Sequence, residues 1–155
     1  MPRRTPVLAI TALALMAAAT FAFAQDTPVV VDPAIEPMAV DQLVEARQSA
    51  MKQNGGLLRS AMRASGDEAV AAATTMLQNF TNLPALFREG STASNSKALP
   101  LIWENWDDFR ARFDEDAKHA AEAVAAAKAN DAAAYGAALQ AIGQSCGGCH
   151  QMYRG

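Results

Sequence analysis

From Val40 to Cys146 apolar side chains recur every three or four residues, and no stretch alternates convincingly with a period of two. Such a chain buries its apolar faces helix against helix, because a 3.6-residue period gathers those positions on one side of a helix. Val40, Leu43, Val44, Arg47, Met51, Leu58 and Met62 trace the first helix. Asn54-Gly55-Gly56 interrupts it awkwardly, since each Gly costs about 1 kcal/mol against Ala, yet the period resumes in phase. Ser65 with Glu68 three residues on has the form of a capping box, and Val70, Ala73, Met76, Leu77 and Phe80 continue as a second helix. Asn82 to Leu99, with Pro84, Gly90 and a Ser/Thr/Asn cluster, reads as a long surface connection. Pro100 suits the first position of a third helix carrying Trp103, Trp106, Phe109, Phe113, Ala117, Ala120 and Val124. Asn130 or Asp131 can cap a fourth, lined by Tyr135, Leu139, Ile142 and Cys146. The expectation is an all-α, antiparallel four-helix bundle over residues 38–155.

What precedes the bundle has a different grammar. Arg3 and Arg4, an Ala-rich apolar stretch from Val7 to Phe23 and the small-x-small triplet Ala22-Phe23-Ala24 form a signal peptide over residues 1–24. The stretch is short for a bilayer and closed by a cleavage pattern, which argues against a stable membrane anchor and for export to the periplasm. Residues 25–37, with Pro28, Pro33 and Pro37, read as an extended leader. Losing 24 residues, two of them arginines, takes the chain from 155 to 131 residues and its formal charge from -3 to -5. A mildly acidic chain of that size, with no run of Lys and Arg, is one domain and a poor nucleic-acid binder.

Chemistry concentrates in the tail. The chain has two cysteines, Cys146 and Cys149, and the string Cys146-Gly147-Gly148-Cys149-His150 ends the fourth helix. C-x-x-C-H is the attachment pattern of c-type haem. Two thiols add to the two vinyl groups of one porphyrin while the adjacent imidazole reaches its iron, and on a helix Cys146, Cys149 and His150 can address one flat object. A thioredoxin-like pair would sit at a helix start in a βαβ unit, and a zinc site would need a fourth ligand where the only other histidine is His119. A plain disulfide would leave His150 unexplained. The position of the motif also bears on a second axial ligand: Met152, two residues along the same helix, cannot reach over the ring, so any sixth ligand comes from upstream.

As a set, Arg47 and Met51 in the first helix, Leu83-Pro84, Pro100-x-Ile102-Trp103, and Cys146-Gly147-Gly148-Cys149-His150-x-x-Tyr153-Arg154 resemble the class II c-type cytochromes. That group includes cytochrome c′ and its low-spin relatives called cytochrome c-556. The resemblance implies a left-handed four-helix bundle with haem c inserted between helices, His150 as proximal ligand and the first helix on the distal side. It also suggests that Arg154 lies near His150 and tunes it. Met51-Lys52-Gln53-Asn54-Gly55 looks like the c-556 motif in which the Met is the sixth ligand. The residues add their own case: a thioether is a soft, neutral donor suited to haem iron. Arg47 one turn earlier could pair with a propionate, and Gly55 one turn later leaves the backbone open to the ring. The alternative is that Met51 only packs.

Two functions follow. One is a periplasmic one-electron carrier with His150 and Met51 as iron ligands, serving redox partner proteins and converting no substrate as an enzyme would. The other is a high-spin, five-coordinate cytochrome c′ that binds NO or CO, with Met51 as a steric gate. A homodimer is open in either case. The remaining conspicuous residues have plainer readings: Met38, Met62 and Met76 as core or surface, Trp103, Phe109 and Phe113 as core against the macrocycle, Tyr153 as packing at the end of the last helix, and His119 as solvent-exposed. Asp107, Asp108, Asp114, Glu115 and Asp116 form an acidic cluster, either a solvated helix face or a docking patch for a basic redox partner.

Overall fold

The computed structural model describes residues 28–93 and 95–155, so the signal peptide expected at 1–24 and the first residues of the expected leader lie outside the described residues. Four long helices form the bundle: α1 (Val40–Ala61), α2 (Gly66–Asn82), α4 (Trp106–Lys128) and α5 (Ala132–Tyr153), with a single short turn of helix, α3 (Leu101–Glu104), ahead of α4. Among the described residues there is no strand, only an isolated bridge between Ala98 and Arg154. The most extensive interface joins α2 and α4, where Ala69, Ala72 and Ala73 on one side and Ala120, Ala123 and Ala127 on the other are buried. Small side chains let two helix backbones approach closely. α1 and α5, by contrast, barely touch each other.

α1 runs unbroken through Asn54-Gly55-Gly56. Asn54 is buried and accepts a hydrogen bond from Asn79 Nδ2 at 2.7 Å, which ties this weak turn to α2. The end of α4 is closed by Asn130 in the left-handed region, φ 55°, and α5 is opened by Asp131, whose Oδ1 accepts from the Ala134 N–H at 2.9 Å.

Four features depart from the sequence-based expectation. The Ser65 capping box does not form: Gly66 enters α2 with φ 55°, turning the chain where the hydroxyl would have to reach back, and Ser65 makes no side-chain cap. The third helix is split at Asn105, φ -124° and ψ 45°, whose side-chain amide donates to Tyr153 Oη at 3.1 Å. The leader is not simply extended. Pro33–Ile35 is a 3-10 turn with Ile35 buried, held by Arg88 donating to the carbonyls of Ile35, Glu36 and Met38.

The fourth departure matters most, because the 82–99 connection is not a surface loop. Leu83–Phe87 forms a 3-10 helix whose Leu83, Leu86 and Phe87 enter the core. Phe109 meets Phe87, Phe113 and Tyr153 edge to face at 4.8, 5.1 and 5.0 Å between ring centres, contacts worth about 0.5–1.5 kcal/mol each beyond their buried area. The connection then crosses from α1 to the end of α5. Gln48 Nε2 donates to the Asn95 carbonyl, Leu99 N–H to the Tyr153 carbonyl, and Gly155 N–H to the Lys97 carbonyl. Residues 91–93 and 95–99 thus form a strap fastened to both helices.

Candidate haem site

A cleft of about 380 Å³ opens between α1, the strap and the end of α5. Met51 faces it from α1, Cys149 and His150 from α5, and Phe87, Ile102 and Phe109 supply apolar wall. The topology explains the opening: helices that barely touch leave a slot between them, and the strap spans it. Of the residues expected to work together from sequence, Met51, Cys149, His150, Arg47 and Arg154 line this cleft. Cys146 is half-buried one turn before Cys149, does not line the cleft, and senses the charge of Asp116.

Arg47 is only 3% exposed. Its Nη1 donates to the Leu86 carbonyl at 3.2 Å and to Ser91 Oγ at 2.8 Å; its Nη2 donates to the Ser91 carbonyl at 2.7 Å and to Ser96 Oγ at 2.9 Å. The guanidinium also lies over the Phe87 ring, 4.5 Å from its centre. Every Nη hydrogen is committed, yet no carboxylate accompanies this buried cation among the described residues. Sequence reasoning placed Arg47 on the right face and missed Ser91 and Ser96, which sit in a Ser/Thr/Asn run indistinguishable from a solvated loop.

Titration in the cleft follows burial. Burial pushes the Cys149 thiol up to about 11 and the Cys146 thiol upward too, with Asp116 adding to the second. A redox C-x-x-C pair needs the opposite, a depressed thiol that attacks as thiolate. His150 is held below its ordinary value by burial first and by the neighbouring Arg154 charge second, which favours the neutral imidazole a metal can use. Tyr153 is fixed by a 2.6 Å hydrogen bond to Asp108, which also pairs with Arg112 at 2.8 Å.

The acidic cluster of α4 is not one surface. Asp116 is buried, Asp108 belongs to Tyr153 and Arg112, Asp114 pairs with Arg110, and Glu115 lies within ion-pair reach of His119. His119 is half-buried and meets Glu122 at 3.1 Å, rather than standing free in solvent. Met76 is buried, Met38 half-buried and Met62 exposed; Trp103 is half-buried and donates its indole N–H to the Phe87 carbonyl.

A family model described as Cytochrome C′ matches residues 42–154. The chain belongs to the cytochrome c′ family. Cytochrome c-556 of Agrobacterium tumefaciens (strain II Chrys) is 42% identical over 120 residues, covering 72% of this chain and 95% of that protein. Cytochrome c′ of Rhodospirillum rubrum is 30% identical over 152 residues, covering 96% and 97%. The crystal structure of cytochrome c′ from Thermochromatium tepidum superposes with a TM-score of 0.68 at 22% identity, over 76% of this chain and 98% of that one, and shares the four-helix fold. The protein is thus a haem c cytochrome of an electron-transport family, and its paired cysteines are those of the C-x-x-C-H string. The cleft suits that cofactor on its own chemistry: an imidazole and a thioether facing one apolar slot, and a buried cation lacking a counter-charge. Among the described residues no helix is long and apolar enough to cross a membrane.

Proposed function

We propose that this cytochrome is an exported, periplasmic one-electron carrier in which His150 and Met51 would ligate the haem iron and Cys146 and Cys149 would bear the covalent attachment. The observation that carries the reading is that Met51 and His150, from helices that scarcely touch, line the same cleft. When bound, the haem supplies an Fe(III)/Fe(II) couple, and His/Met ligation favours a raised reduction potential. His150 offers a neutral imidazole, and Arg154 opposes its protonation. Met51 offers a neutral sulfur on a flexible stem. Arg47 gives the interior a positive charge for a propionate; with its Nη donors engaged by Leu86, Ser91 and Ser96, the attraction is electrostatic rather than a bidentate fork. A ligand set present in both oxidation states asks little movement of the protein, and the role is transfer rather than conversion of a substrate. Removal of residues 1–24 as a signal peptide belongs to the same reading.

The similarity to a protein named cytochrome c′ favours a second reading, in which Met51 stops short of the iron and screens a five-coordinate site for a diatomic gas. Absorption and electron paramagnetic resonance spectra of the oxidised holoprotein at neutral pH separate the two. Ligation by Met51 gives a low-spin wild type and a high-spin Met51→Ala variant. A wild type already high-spin, with rapid CO binding to its ferrous form, overturns the first reading.

A further inference from the structure

The charges around the cleft run against those of the chain as a whole. The sequence carries 16 Asp and Glu against 13 Lys and Arg, yet no Asp or Glu lines the cleft, while Lys52, Lys97 and Arg154 stand exposed on its rim and Arg47 lies beneath. None of the three rim cations has an ion-pair partner among the described residues, whereas Arg110, Arg112 and His119 along α4 each have one. The three come from separate elements, α1, the strap and the residue after α5, so the fold and not a local run of sequence brings them together. A haem brings two propionate carboxylates. Four cations outnumber them, and a carboxylate at the chain end beside Arg154 would still leave the balance positive.

We propose that the mouth of the haem cleft is a cationic docking surface, formed by Lys52, Lys97 and Arg154, for a redox partner that presents carboxylates. This rests on the haem occupying the cleft as proposed above, and it reverses the polarity expected from the acidic run of α4. A local field of this kind steers the approach of an oppositely charged molecule even when the net charge is unfavourable, and salt screens it. The cations sit where an electron would leave. The acids of α4 are largely spent on their own neighbours or, for Asp116, buried.

The test uses the ferrous holoprotein and two small oxidants of opposite charge, hexacyanoferrate(III) and hexaammineruthenium(III), mixed by stopped flow from about 10 mM to about 500 mM salt. One electron passes from iron to reagent, giving ferric protein and hexacyanoferrate(II) or hexaammineruthenium(II). If the rim governs approach, the rate with the anion falls about ten-fold as salt rises, although the protein is itself an anion. Changing Lys52 and Lys97 together to Gln removes that fall, and Lys118→Gln, an exposed site on α4, leaves it intact. Poly-L-glutamate at low salt slows the reaction in the wild type and not in the double variant. An anion rate that rises with salt, or poly-L-glutamate without effect on the wild type, overturns the proposal. Spectra recorded before mixing report haem content and axial ligation separately, so a protein without Met51 ligation still gives a salt slope. Failure of that reading is then distinct from failure of this one.

Discussion

Arg47 and Asp116 are the two most deeply buried charged side chains described, 3% and 5% exposed, and their surroundings could hardly differ more. Arg47 meets a carbonyl or hydroxyl with every Nη hydrogen and stacks on an aromatic ring. Asp116, between α4 and α5, hydrogen-bonds Ser145 and leaves Oδ1 with no partner. Burial first, with Glu115 adding to it and Ser145 and His119 opposing it, raises the Asp116 carboxyl from 3.8 to about 6. Burial depth alone therefore says little about what a charge does. A satisfied buried cation organises the loop around it, whereas a half-satisfied buried acid is a stability cost that depends on pH.

The sharpest way to break this contrast is Arg47→Gln. The shorter amide cannot serve Leu86, Ser91 and Ser96 together, so urea unfolding of the holoprotein is expected to show a loss of about 3 kcal/mol. Amide hydrogen exchange in residues 91–99 should accelerate selectively. Unchanged stability would mean that the strap is held mainly by its other end.

Asp116→Asn should act in the opposite direction. Between about pH 4 and pH 6 the folded chain holds a proton at Asp116 that the unfolded chain has shed, so this group makes stability fall as pH rises through that window and keeps it lowered above. The Asn variant is expected to be about 1–3 kcal/mol more stable than wild type at pH 7, with the gain gone near pH 4, measured by denaturant melts at both values. A gain that persists at low pH would place its origin in packing rather than in charge.

The smallest effects compare two helix starts. Asp131→Ala removes a cap with a 2.9 Å hydrogen bond and should cost about 1 kcal/mol, whereas Ser65→Ala, where no side-chain cap exists, should be close to neutral by the same melts.

The bundle was legible because its evidence is periodic: the spacing of Leu43, Met51, Phe109, Phe113, Leu139 and Ile142 reads the same in sequence as in space. The Cys146, Cys149 and His150 constellation was equally open, since its chemistry is local and its spacing is fixed. What escaped was non-local. Ser91 is fully buried only because Arg47, 44 residues away, requires acceptors, and nothing in the run Ser91-Thr92-Ala93-Ser94-Asn95-Ser96 announces that. Leu83-Pro84-Ala85-Leu86-Phe87 did carry a signal, three large apolar side chains beside a helix-starting proline. The burial of Asp116 within an acidic run was invisible, because charge is counted along the chain while exposure is decided across it. Asn105 and Gly66 show the same limit for boundaries, where one tertiary hydrogen bond or one left-handed residue overrides a plausible pattern.

The double fastening of the strap couples two walls that share little direct contact. Slackening this belt would release the sulfur-bearing side and the imidazole-bearing side in one motion. With the cofactor bonded through Cys146 and Cys149 to the imidazole-bearing wall, the wall carrying Met51 would be the one to part from it.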